Sequence, residues 1–139
     1  MSEQNLWSWL KPYLPEGEYS RIESGDTSAG IPDVYYQVSP QTSGFLELKF
    51  SHHPNSPVPF KDYEDGIRFS QEIWISRNVQ RGAHVLIVAQ VGERVLFIPG
   101  EHVKEFNGSS MNQLENLACL RLYKKKMGRD KVKALWRIL

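Results

Sequence analysis

Apolar residues recur at helical spacing near the start of the chain, where Leu6, Trp7, Trp9, Leu10, Tyr13 and Leu14 predict a short amphipathic helix stopped near Pro12 to Pro15. A strand is expected around Tyr19 to Ser24, followed by a polar loop from Gly25 to Gly30. Pro32 to Val38 and Phe45 to Phe50 read as two strands separated by the turn-rich SPQTSG. SHHPNSPVPF carries three prolines and reads as an irregular loop. From Gly66 to about Arg81 the period becomes helical, with Ile67, Trp74, Ile75 and Asn78 on one face and Gly82 at the close. His84 to Gln90 is almost continuously apolar, as a strand covered on both faces would be. A tight turn at Val91 to Glu93 leads to its expected hairpin partner, Arg94 to Ile98. Ser109 and Ser110 are good caps for a helix running to about Ala118, while Asp130 to Leu139 fits either a helix or a strand.

This order predicts an α/β (α+β) fold: one domain over residues 1–139, with a central mixed sheet of about five strands flanked by helices. The long helix between the strands at 45–50 and 84–90 implies one crossover connection. No apolar run approaches the length of a membrane span, and MSEQNLWSWL lacks the basic start of a secretory signal, so a cytoplasmic location is expected. The single cysteine, Cys119, has no disulfide partner and no metal-site spacing, and its apolar neighbours predict a buried structural thiol. All four tryptophans, Trp7, Trp9, Trp74 and Trp136, have apolar neighbours at helical spacing and are expected in the core.

Charge adds a division that the apolar pattern does not contain. The chain as a whole carries +1, but residues 1–50 set three cations against seven carboxylates, a net −4. Residues 121–139 set eight cations against Asp130, a net +7. An acidic half suits cations and a basic segment suits phosphates. Lys124, Lys125, Lys126 and Arg129 are therefore candidate phosphate contacts, although a solvated basic face looks the same in sequence.

The residues that point to chemistry are Asp33, Glu47 and Lys49. All three are odd-numbered, so on two strands paired across SPQTSG they can share one face. A residue-number sum of 80 sets Asp33 opposite Glu47, and a sum of 82 sets it opposite Lys49. Either register brings the carboxylates within roughly 5–8 Å of each other. Leu46, Leu48 and Phe50 then face the opposite side as anchors. Two carboxylates that close repel unless a cation or proton lies between them, and hard oxygen ligands favour Mg²⁺ or Mn²⁺. With Lys49 beside them these are the parts for phosphodiester hydrolysis, whereas the plain alternative is a hairpin with surface charges.

The segment RIESGDTSAGIPDVYY followed by GFLELKF resembles the PD-(D/E)XK nuclease superfamily, in particular the small stand-alone virus-type replication-repair nucleases and Holliday-junction resolvases. The resemblance runs from about Arg21 to Ile98. It implies a restriction-endonuclease-like fold, with Asp33 and Glu47 holding Mg²⁺ and Lys49 assisting the water. It also implies a metal-dependent DNA endonuclease selective for branched, Holliday-junction-like DNA and acting as a homodimer in a bacterial or phage-infected cell. Relatives carry a further acidic ligand upstream, often on the first helix. The stretch Leu6 to Leu14 has no acidic residue, so Glu23 is the expected substitute, with Glu18 its competitor. Gln71 lies on the apolar stripe of its helix and needs a partner once buried; in similar nucleases such a glutamine faces the site. His52 and His53 follow Lys49 closely enough to reach substrate phosphate or relay a proton, although an exposed loop pair reads the same way. The rivals are a non-catalytic nucleic-acid- or protein-binding member of the fold, and a nicking, restriction-type or exonucleolytic enzyme.

Overall fold

The computed structural model describes residues 2–22 and 30–139. A six-stranded mixed sheet with strands in chain order is flanked by helices on both faces. The strands are β1 (Glu18–Arg21), β2 (Val34–Ser39), β3 (Thr42–Phe50), β4 (Val85–Val91), β5 (Arg94–Pro99) and β6 (Leu120–Tyr123). Only β3 and β4 run parallel, as the crossover through one long helix requires. The helices are α1 (Glu3–Leu10), α2 (Phe69–Gln80), α3 (Val103–Phe106), α4 (Met111–Leu117) and α5 (Arg129–Ile138). Among the described residues no helix is long and apolar enough to cross a membrane.

Alternation along the strands builds two cores. Leu46 and Leu48 of β3, Val88 of β4, Val95 and Phe97 of β5 and Leu122 of β6 face α1 and α5. The residues between them, including Ile87, Ala89, Leu96 and Ile98, face α2, α3 and α4. β4 is buried along its whole length because both cores close on it.

Four expectations are corrected. The sheet has six strands rather than about five: LRLY, only four residues long, adds to β5 as an edge strand that pairs Arg94 with Tyr123. The first helix starts at Glu3, because the Ser2 side chain caps it by accepting the Asn5 N–H, and a 3₁₀ turn at Lys11–Tyr13 follows where Pro12 interrupts the α-helical ladder. Cys119 is exposed: Ala118 takes the inward position, and the Cys119 thiol bonds back to the Phe97 carbonyl. Trp136 is half-exposed on α5, its ring N–H donating to the Tyr13 carbonyl at 2.7 Å. The segment that sequence left undecided, Asp130 to Leu139, belongs to helix α5, which buries Leu135.

Two contacts fix where α2 begins. Asn107 accepts the Ile67 N–H and donates to the Ile67 carbonyl, both at 2.8 Å, clamping the chain just before the helix. Gly30, at φ 89, presses against the first turn, where a Cβ would stand 2.2 Å from the Ser70 carbonyl oxygen. Gly82 at φ 98 ends the helix in open space. Replacing either glycine by alanine incurs the left-handed backbone cost of about 1–2 kcal/mol. Only Gly30→Ala adds an overpacking cost of roughly 1–3 kcal/mol. Urea unfolding should therefore place Gly30→Ala well below Gly82→Ala in midpoint; equal midpoints would contradict the packing of Gly30 on α2.

Candidate active site

The site forms where the sheet splits. β2 pairs with β3 in the register Val34↔Leu46, a residue-number sum of 80, and stops there. Residues 47–50 of β3 continue past it without a strand partner on that side among the described residues. Asp33 occupies the opening. Its backbone carbonyl accepts the Ile22 N–H at 2.7 Å, and its carboxylate Oδ2 accepts the Leu48 N–H at 2.8 Å, the ladder position β2 has vacated. An aspartate fits here because its short side chain can stand in for a strand's carbonyl while the preceding Pro32 has no N–H to leave unpaired.

Glu47 and Lys49 sit one alternation apart on the α2 side of β3, and both are buried. Glu47 Oε2 accepts the Gln71 side-chain N–H at 2.9 Å and lies 3.3 Å from Lys49 Nζ. Glu47 Oε1 is buried with no hydrogen-bond partner among the described residues. The orientation of Gln71 follows from helix capping. Its Oε1 accepts the Arg68 backbone N–H at 3.0 Å at the start of α2, so its NH₂ must point the other way, into Glu47. One amide thus closes the helix end and directs the buried carboxylate.

Asp33, Glu47, Lys49 and Gln71 line one cavity of about 300 Å³, together with Glu3, Glu64 and Arg68. Glu3 is the residue that sequence reasoning missed. It is the first residue of α1, and its Oε1 stands 4.0 Å from Lys49 Nζ. The signal was present: Ser2 is a capping residue, and Glu3, Leu6, Trp7 and Leu10 have the spacing of one helical face. The absence of an acidic residue on the first helix is therefore corrected. Glu23, the substitute expected for it, lies outside the described residues, and Glu18 lies on β1, exposed and away from the cavity lining. Arg68 and Glu64 carried no motif in the sequence.

The other expected contacts do not join this cavity. His52 and His53 are exposed on the loop after β3. His52 and Lys124 share a separate cavity with Phe50 and Gln90 on the other side of the sheet. Lys125 and Lys126, between β6 and α5, and Arg129, at the start of α5, are exposed and do not line the cavity.

Electrostatics single out Glu47. Burial pushes its carboxyl well above the ordinary range, the Asp33 charge pushes it further, and Lys49 opposes both. Partial burial also raises Glu3, with Lys49 opposing and Asp33 reinforcing the shift. A buried carboxylate with a free oxygen beside a second carboxylate is the donor set a hard divalent cation fits. Among the described residues no three acidic, histidine or cysteine side chains are grouped to hold an ion, so the converging pair is Asp33 and Glu47, with Glu3 at the rim. The chain matches no family model, and no curated protein or solved structure is significantly similar to it.

The pH dependence follows from the direction of the Glu47 shift. A carboxyl with a folded pKa above its unfolded one stabilises the fold below the unfolded value, near 4.5, and that contribution is lost as pH rises through the folded pKa. In EDTA the melting temperature should fall across that interval, and Glu47→Gln should flatten the fall and melt higher at pH 8. A Glu47→Gln profile parallel to wild type would show that Glu47 is not the strained group.

Proposed function

We propose that this protein is a Mg²⁺- or Mn²⁺-dependent DNA endonuclease of the PD-(D/E)XK type, selective for branched or distorted DNA. The observation that carries the reading is the Glu47 carboxylate, buried in one cavity with Asp33 and held through one oxygen by Gln71 and Lys49, its other oxygen without a partner among the described residues. Ordinary surface charge pairs do not keep a carboxylate in that condition, because an ion taken out of water without full compensation costs several kcal/mol, roughly.

Asp33 and Glu47 would hold the ion, with Glu3 reaching it directly or through water. What the ion supplies when bound is charge that polarises the phosphate and acidifies a water. Gln71 holds Glu47 through one oxygen and leaves the other for the ion. Lys49 balances the pair and offers its ammonium to the attacking water or to charge building on phosphorus. Arg68, exposed at the rim, neutralises an incoming phosphate. Hydrolysis joins the oxygen of water to phosphorus, breaks one P–O ester bond, and leaves a phosphomonoester and a sugar hydroxyl.

The preference for branched DNA, the homodimer and a cytoplasmic setting rest on the resemblance described above. A chain of this size reads backbone and shape more readily than base sequence. His52, Lys124 and the Lys125–Arg129 stretch remain available to DNA lying beyond the cavity.

Cleavage of single-stranded, linear duplex, flap and four-way-junction DNA tests the proposal. Wild type should cut at least one of these with Mg²⁺ or Mn²⁺ and none in EDTA. Asp33→Asn and Lys49→Ala should each lose about 100-fold or more, and Glu3→Gln about 10-fold, as residues supporting a metal site do. A folded wild type that binds DNA but cuts none of the panel would make it a non-catalytic binding protein.

A further inference from the structure

α2 has a second face that the site does not use. Gln71 and Ile75 turn inward, while Phe69, Ile73 and Arg77 follow one another at four-residue spacing along the outside. Phe69 and Ile73 are 53% and 42% exposed, and Tyr63, from the preceding loop, is 50% exposed. The Tyr63 and Phe69 rings are 5.7 Å apart with 36° between their planes. They open onto a groove of about 470 Å³ that continues past Ile73 to Arg77 and, from α3, Lys104. That volume falls within the roughly 300–1,000 Å³ of small-molecule sites.

We infer that this groove is the track of an unpaired nucleic-acid strand entering or leaving the cavity, with its bases stacked on Tyr63 and Phe69. The inference rests on the phosphodiesterase reading of the cavity. Three observations support it.

The groove adjoins the cavity: Glu64 and Arg68, which line the cavity, are the chain neighbours of Tyr63 and Phe69, which line the groove. Its lining is an aromatic platform followed by cations, the combination that holds single strands by stacking and phosphate neutralisation without reading sequence. Among the described residues neither Arg77 nor Lys104 pairs with a carboxylate. The one acidic residue in the lining, Glu72, lies close enough to Tyr63 for its charge to push the phenol's pKa up. A paired duplex hides its base faces, so this surface distinguishes an unpaired arm from a fully paired helix.

The test is binding in EDTA, independent of cutting, with a duplex carrying a single-stranded arm that contains 2-aminopurine, beside the same duplex fully paired. Wild type should quench the 2-aminopurine by stacking. Phe69→Ala and Tyr63→Ala should each weaken binding of the armed DNA about 10-fold, abolish much of the quench, and leave the paired duplex within about 2-fold, a margin inside ordinary surface-substitution effects. Phe69→Trp should retain both the affinity and the quench. Armed-DNA binding unchanged in both alanine variants would overturn the inference. If sedimentation then showed wild-type dimers lost in those variants, the face would belong to a second copy of the chain. Arm binding that depends on Phe69, in a protein that never cuts, would support the track and overturn only the cavity's catalytic reading. Cutting with no dependence on either aromatic would do the reverse.

Discussion

A carboxylate taken out of water with one oxygen unpaired is a standing cost, and Glu47 is placed so that several parts of the structure bear on it. Its partners, Lys49 and the Gln71 amide, both meet the same oxygen. The other oxygen has no hydrogen-bond partner among the described residues, and the Asp33 charge acts on the same carboxyl. A purely structural ion pair gains by satisfying both oxygens; this arrangement leaves a gap in compensation, and a small hard cation is the species proposed to fill it.

The scaffold around Glu47 serves that gap. The early end of β2 opens the sheet so that Asp33 can replace a strand at Leu48 and α1 can bring Glu3 to the rim. The close packing of Gly30 on α2 and the Asn107 clamp set the first turn of α2 against the same opening, where the capping hydrogen bond from Arg68 leaves Gln71 a single direction. Two cores, one on each face of the sheet, hold β3 and β4 in place, and the far end of β3 carries Glu47 and Lys49 into the cavity.

The central triad was legible because strand alternation is rigid: residues of one parity on paired strands share a face, and the observed register was one of the two that parity allowed. Gln71 was legible as a polar residue on an apolar stripe. What the apolar pattern could not carry was anything set by capping or by edge pairing. Glu3 lies before the first apolar residue of its helix, so the start was read late although Ser2 marks it. β6 is four residues inside a basic stretch and exists because β5 offers an edge, a tertiary cause with little local signal. Cys119 and Trp136 have apolar neighbours, but each lies where its element turns to solvent. The positions of His52 and Lys124 relative to the cavity depend on which side of the sheet the chain passes after Phe50, which periodicity does not encode.

The proposed activity depends on Asp33 and the free oxygen of Glu47 binding a divalent cation. Titration of the DNA-free protein with Mn²⁺, followed by water-proton relaxation, tests it most directly. The wild type should bind an ion that Mg²⁺ displaces and that folded Glu47→Gln does not take up. Undiminished Mn²⁺ binding by Glu47→Gln, or none by the folded wild type, would contradict it.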